Sequence, residues 1–205
     1  MNQFEEAISR YIGRDNLKQL QQVKIGIGGA GGLGSNVACN LVRSGFKSFV
    51  IVDFDVVEYS NLNRQFYFRR QVGEDKVDAL KENLLAINPD LELEVRSERV
   101  TKDNIKNLFN SCEIIIEAFD QVTSKKLIVE EYINSQKLLV AASGVAGWGS
   151  SDEIRVKQIK DKFYLVGDSS TEVDQGHPPI SPRVNVAAAK QADIVLQYVL
   201  EGEYE

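Results

Sequence analysis

Six glycines fall within "GIGGAGGLGSN", residues 26–36, and Gly29, Gly31, Gly32 and Gly34 fit a G-x-G-x-x-G spacing. Glycine permits positive φ and lets backbone approach a phosphate, while an opening helix offers free N–H donors and the positive end of a macrodipole. The apolar run "VKIGI" precedes this turn, and Asp53 ends the next apolar run, about 20 residues on, where a carboxylate accepts hydrogen bonds from ribose. These features fit NAD and ATP equally. The segment "DFDVVEYSNLNRQ", residues 53–65, separates them. Hydride transfer has no need of Asn61, Asn63, Arg64 and Gln65 crowded behind the ribose carboxylate. A triphosphate needs such amide donors and at least one fixed cation, and Arg64 supplies the cation.

The elements that hold these residues alternate along the chain. Residues 1–22 have roughly helical spacing and predict N-terminal helices. Strand-like runs then alternate with helical ones: 23–27, a helix over 33–44, 48–54, a helix over 75–88, 91–97, a helix over 102–110, 112–119, a helix over 122–136, and 137–143. The apolar strand cores require cover on both faces. Beyond Gly144, "EIRVKQI" and "KFYLVG" predict antiparallel additions, followed by a polar loop over 168–182. A C-terminal helix follows, buried through Val186, Ala189, Ile194, Val195 and Tyr198. The expected fold is α/β: a Rossmann-like, doubly wound, mainly parallel sheet with antiparallel C-terminal additions. One domain spans 1–205, divided into helices 1–22, nucleotide-binding core 23–143 and extension 144–205.

Composition narrows the functional classes. The 205 residues are 43% hydrophobic and 26% charged, with net charge −6 and no long basic block, which argues against a nucleic-acid groove. No apolar run is long enough to span a membrane and the N-terminus is too acidic for a secretory signal, so a cytoplasmic protein is expected. Cys39 and Cys112 lack CxxC partners; no zinc is expected, and both read as small buried hydrophobes.

"GAGGLGS", "VDFDVVEYSNLNRQ", "VGEDK", "AINPDLELE" and Asp120 after "EIIIEAF" resemble, in order and spacing, the motifs of the ThiF/MoeB/HesA adenylyltransferases, the family related to ubiquitin-activating enzymes. The resemblance covers roughly residues 23–145. Together with the short length and "PPISPRVNVAAAKQAD", it points toward the short ThiF-type members. It implies ATP- and magnesium-dependent adenylation of the C-terminal glycine of a ubiquitin-fold sulfur carrier (ThiS) in thiamine thiazole biosynthesis, and a homodimer. Matched positions imply that the glycine turn, Asp53, Asp55, Asn61, Arg64, Gln65 and Lys76 bind ATP and that Asp120 holds magnesium. Lys76 opens a helix as a flexible point charge. Asp120 follows a strand-like run at the edge where open α/β sheets place ligands.

The sequence departs from the family at several positions. Asp75 and Gln121 stand where proline and asparagine are usual, and residues 144–182 contain no cysteine, so the chain is expected to stop at the acyl-adenylate. "RYIGRDN" resembles a segment whose arginine enters the partner subunit's site, which favours Arg14 over Arg10. His177 is expected to serve its loop, and Trp148 either packs on the carrier tail or closes the core. The alternatives are adenylation of another acceptor (the molybdopterin synthase small subunit, another ubiquitin-like protein or a modified tRNA base), a non-catalytic nucleotide-binding partner, and an NAD(P)-dependent oxidoreductase.

Overall fold

In the computed structural model, which describes residues 1–171 and 176–202, seven strands form one sheet. Chain order is α1 (Gln3–Ile12), α2 (Arg14–Gln22), β1 (Lys24–Gly28), α3 (Gly32–Arg43), β2 (Ser48–Val52), α4 (Lys76–Leu85), β3 (Glu92–Arg96), α5 (Ile105–Phe109) and β4 (Ile114–Glu117). Then come α6 (Val122–Tyr132), β5 (Leu138–Ala142), β6 (Arg155–Lys160), β7 (Phe163–Gly167) and α7 (Ser181–Glu201). The spatial order is β3-β2-β1-β4-β5-β7-β6, so the sheet reverses direction of growth beside β1, where open α/β sheets take ligands.

Alternation along the strands divides the core. Ile25, Ile27, Phe49, Ile51, Ile116 and Val140 pack with α3, α4 and α7, whereas Val50, Val52, Ile115, Leu139 and Ala141 pack with α5 and α6. The expected helices on both faces are present. Cys39 and Cys112 are free and buried.

Three expectations need correction. The C-terminal additions are not wholly antiparallel: β7 pairs parallel with β5, and only β6 runs antiparallel, against β7. Burial decides which hairpin arm lies inside. Phe163, Tyr164 and Val166 of β7 are buried, while β6 exposes most of its residues as the sheet edge. The polar loop ends earlier than expected, because α7 begins at Ser181 with Pro182 in its first turn; residues 172–175 of that loop lie outside the described residues. On α7, Ala189 is exposed and Val186 and Tyr198 are half-buried, while Val184, Ala187, Ala188, Gln191, Ala192, Val195 and Val199 form the buried stripe alongside Ile194.

Helices α1 and α2 close the amino-terminal edge of the sheet. Asn2 caps α1 in a capping box with Glu5 and donates to Asn88 Oδ1 (2.7 Å), just before β3. Lys47, preceding β2, pairs with Glu5 (3.5 Å), and Gln19 donates to the Val199 carbonyl near the end of α7. Among the described residues no helix is long and apolar enough to cross a membrane.

Candidate functional site

The glycine turn leaves the carboxyl end of β1. Gly29 has φ +101°, and a Cβ there would lie 2.7 Å from the Ala118 carbonyl oxygen. At Gly34 a Cβ would lie 1.8 Å from the Gly29 carbonyl oxygen, so only glycine lets α3 close on its own entry loop. Gly31 occupies the N-cap position with no side-chain cap, and the first turn of α3 therefore presents its N–H groups without a side-chain acceptor.

Asp53, 7% exposed, is fixed beside this turn: its Oδ2 accepts from the Ala30 N–H (2.6 Å) and its Oδ1 from the Asp55 N–H (2.8 Å). Burial holds its pKa above the ordinary carboxylate value, and these two donors and the Lys76 charge offset only part of that rise. The Tyr67 hydroxyl stands between the carbonyls of Ala30 (2.7 Å) and Lys76 (3.2 Å); burial, then the Asp53 charge, keeps it well above the usual phenol range. Lys76 begins α4 with its side chain 8% exposed and Nζ 2.9 Å from Asp55 Oδ2.

Residues 58–66 wrap over the start of α3. Asn61 Oδ1 accepts from the Glu58 N–H (3.0 Å), closing the 3-10 turn Tyr59–Asn61. Asn36, from α3, donates to the Gly32 carbonyl (2.6 Å) and to the Arg64 carbonyl (2.7 Å), while Ser35 Oγ accepts from the Phe66 N–H (3.0 Å). Half-buried Arg64 lays its stem along Gly32, and its Nη1 donates to Asn63 Oδ1 (2.8 Å) and the Ser60 carbonyl (3.2 Å). Burial lowers its pKa, and the negative charge of Asp120 opposes that shift. Gln65 is buried, reaches toward Gly31, and leaves Oε1 without a hydrogen-bond partner. Its Nε2, the amide atom nearer Gly31, is a donor that suits phosphate together with the uncapped helical N–H groups, whereas the unpaired Oε1 is an acceptor and calls for a donor.

Asp120 is exposed past the end of β4. Beneath it, buried Glu117 accepts from the Phe119 N–H (2.8 Å) and pairs with Lys125 (3.1 Å), which also donates to the Ala142 carbonyl (3.1 Å). Gln191 of α7 donates to the Glu117 carbonyl (3.3 Å). Sequence reasoning missed this network. Its signal was present: a carboxylate inside "IIIEAF" requires a partner, and Lys125 lies in the first turn of the next helix. Also missed was the buried pair Asp168–Arg183, whose arginine donates to the Gly149 (2.9 Å) and Ser150 (3.0 Å) carbonyls.

The structure thus brings Gly29, Gly31, Gly32, Gly34, Asp53, Asp55, Asn61, Arg64, Gln65, Lys76 and Asp120 to one edge. Arg14 is not among them. It is exposed at the start of α2, whose Leu17 packs by Gly45 beyond the far end of α3. Trp148 is 68% exposed, so it does not close the core. Its neighbour Gly147 donates to the Pro178 carbonyl (3.0 Å) alongside His177, and the Pro179 carbonyl accepts from Asn63 (3.3 Å). A cavity of about 580 Å³ lined by Gln19, Cys112, Lys137 and Tyr198 lies at the opposite, amino-terminal edge of the strands, apart from these residues. Among the described residues no three His, Cys, Asp or Glu side chains cluster as a metal cage.

Residues 4–201 match the model of the ThiF family. The chain belongs to the ThiF family. Among relatives, the probable adenylyltransferase/sulfurtransferase MoeZ of Mycobacterium tuberculosis is 30% identical over 154 residues, 71% of this chain and 38% of MoeZ. The tRNA threonylcarbamoyladenosine dehydratase of Bacillus subtilis is 31% identical over 182 residues, 88% of this chain and 66% of that protein. This ThiF-family chain therefore spans less than two thirds of either relative. Among solved structures, the E. coli tRNA N6-threonylcarbamoyladenosine dehydratase TcdA in complex with AMP superposes with a TM-score of 0.86 at 22% identity, covering 96% of this chain and 94% of that one, a likeness of fold.

Proposed function

We propose that this protein transfers AMP from ATP to a carboxylate, and that the acceptor is the C-terminal glycine of a small ubiquitin-fold sulfur carrier of the ThiS kind, in thiamine thiazole formation. The observation that carries the reading is the convergence, at one sheet edge, of an uncapped helix start, a buried ribose-type carboxylate, the cation Arg64 within reach of the charge of Asp120, and the cation Lys76 paired with Asp55. The name of MoeZ adds support for the adenylyl transfer.

In this reading the first turn of α3 and Gln65 hold phosphate, Asp53 orients the ribose, and Asn61 keeps the arginine segment in shape. Lys76 and Arg64 offset the repulsion between the incoming carboxylate and the α-phosphate. A bond forms from carboxylate oxygen to the α-phosphorus as the bond to the bridging oxygen breaks, and pyrophosphate leaves. Positioning and electrostatics perform this step without a covalent residue. Asp120 would hold magnesium, which would supply charge neutralisation on the leaving group; a single exposed carboxylate fits a cation that usually keeps several waters. A narrow Gly-Gly end would approach over Trp148 and Pro179. Arg14 fits only as a group given across a homodimer.

A second reading is favoured by the 31% identity to the B. subtilis dehydratase: the carboxylate would belong to a threonylcarbamoyl group on tRNA adenosine. The net charge of −6 counts against a polyanionic acceptor. Mass spectrometry after incubation with ATP, magnesium and, separately, ThiS, the molybdopterin synthase small subunit or modified tRNA tests both. One added AMP on ThiS alone supports the first reading. Dehydrated tRNA with unmodified carriers replaces it with the second.

A further inference from the structure

Four residues of the loop 144–150 hold positive φ: Gly144 (+75°), Gly147 (+77°), Gly149 (+72°) and Ser150 (+44°). A glycine-rich segment of this kind has many shapes open to it, and holding one of them costs more backbone entropy than elsewhere. Two residues outside the loop clasp its ends. At its start, Asp168 packs so closely on Gly144 that a Cβ there would run into the carboxylate. At its end, Arg183 Nη1 donates to the carbonyls of Gly149 (2.9 Å) and Ser150 (3.0 Å), while Nη2 donates to Asp168 Oδ2. Asp168 is itself pinned by the N–H groups of Ser170 and Thr171 (2.8 Å each). Trp148, the single tryptophan of the sequence, stands exposed within this clasp.

Stability does not explain the pair. Arg183 lies in the first turn of α7, where a cation opposes the helix dipole. Its Nε is buried without a hydrogen-bond partner among the described residues, and replacing a buried ion pair by apolar side chains is often neutral or stabilising. What the pair determines is place. Val184, next to Arg183, sets its Cγ1 3.1 Å from where a Cβ on Gly32 would stand, at the start of α3. The Pro179 carbonyl accepts from Asn63, the neighbour of Arg64, and the Pro178 carbonyl accepts from the Gly147 N–H. The helix start that carries Arg183 is therefore seated on the glycine turn, and the arginine ties the Trp148 loop to it.

We propose that Arg183, oriented by Asp168, is a positioning residue that fixes the 147–150 loop so that Trp148 presents its indole to the incoming acceptor. It thereby governs acceptor affinity and leaves nucleotide affinity alone. The inference rests on the adenylyl-transfer reading above. An exposed indole flanked by glycines offers a broad apolar face with little around it, which suits a narrow, extended chain end.

The full chain is compared as wild type, Arg183→Met, Arg183→Met with Asp168→Asn, Trp148→Ala, and Trp148→Ala with Arg183→Met. The Asp168→Asn form is included because Arg183→Met alone leaves a buried carboxylate without its counter-ion. The readouts are ATP affinity by calorimetry, urea midpoint, fluorescence anisotropy decay of Trp148, and ThiS-dependent ATP/pyrophosphate exchange. Both Arg183 forms that keep Trp148 should retain ATP affinity within about twofold and raise the KM for ThiS on the order of 10-fold at nearly unchanged kcat. Their Trp148 anisotropy should decay faster, since the loop is released. Trp148→Ala should raise KM likewise, and adding Arg183→Met should raise it little further, because both act through one loop. Wild-type KM and anisotropy in the Asp168→Asn, Arg183→Met form overturn the proposal and leave the pair a stabilising device alone. Loss of kcat at unchanged KM, or loss of ATP affinity equal to the loss for ThiS, also overturns it. Wild-type KM in Trp148→Ala does the same. Each of these results leaves the adenylyl-transfer reading standing as long as wild type supports exchange; a wild type with no ThiS-dependent exchange removes the acceptor reading and this inference together.

Discussion

Lys76 Nζ lies 2.9 Å from Asp55 Oδ2, the lysine side chain 8% exposed and the aspartate 42% exposed. The pair is asymmetric: the cation is pre-positioned among protein atoms, and its counter-ion faces water and yields easily to a phosphate. Lys76→Ala should therefore lower carrier-dependent ATP/pyrophosphate exchange on the order of 100-fold. Its urea midpoint should barely move, because an ion pair with a solvated partner contributes little to stability.

Arg64→Ala and Asp120→Ala should each abolish the same exchange while the far-ultraviolet dichroism stays that of wild type. Both side chains lie at the rim, and neither supports the core. Wild-type-like exchange in either variant would remove that residue from the mechanism.

Lys125→Met leaves the Glu117 carboxylate buried without its counter-ion. Losing one member of a buried pair costs about 3–5 kcal/mol, and adding Glu117→Gln to the same chain should recover a good part of it. Urea titrations of wild type, Lys125→Met and the double variant provide the comparison. A double variant no more stable than Lys125→Met would show that the two side chains do not act as a pair.

Burial alone would raise the Asp168 carboxyl from its ordinary 3.8, but the N–H and hydroxyl donors of Thr171 and Ser170 bring it down to about 2. A carboxyl lowered in the folded state adds stability that is complete above its unfolded pKa and is lost as pH falls through the folded one. The stability gap between wild type and Asp168→Asn should thus hold steady from neutral pH down to about 5 and close between about 4 and about 2. Denaturant titrations across that range would show it; a gap that widens on acidification would contradict the assignment.

The sequence made the glycine turn legible because sterics leave so few alternatives: a residue larger than glycine at position 34 collides with the Gly29 carbonyl. The place of Asp53 was readable from its spacing behind the glycine turn, whereas Arg64 was singled out by the amides around it and Lys76 by the family resemblance; the structure puts the lysine at the start of α4 as expected. The placement of β7 was hidden by a local rule. A hairpin pattern establishes that β6 and β7 pair antiparallel but is silent on which arm joins the parent sheet, a choice made by the greater apolarity of "FYLVG" over "RVKQIK". Gln191 reaches the Glu117 carbonyl from α7, 74 residues further on, and a contact of that separation leaves no periodic trace along a chain.

Gly31 gives α3 no side chain with which to finish its first turn. The helix packs more extensively against α7 than any other helix pair in the chain, so the missing terminus belongs to a central beam of the molecule and not to a loose outer strut. In the proposed reading, a phosphate seated there would serve as the absent end-group, so that ligand and helix complete one another.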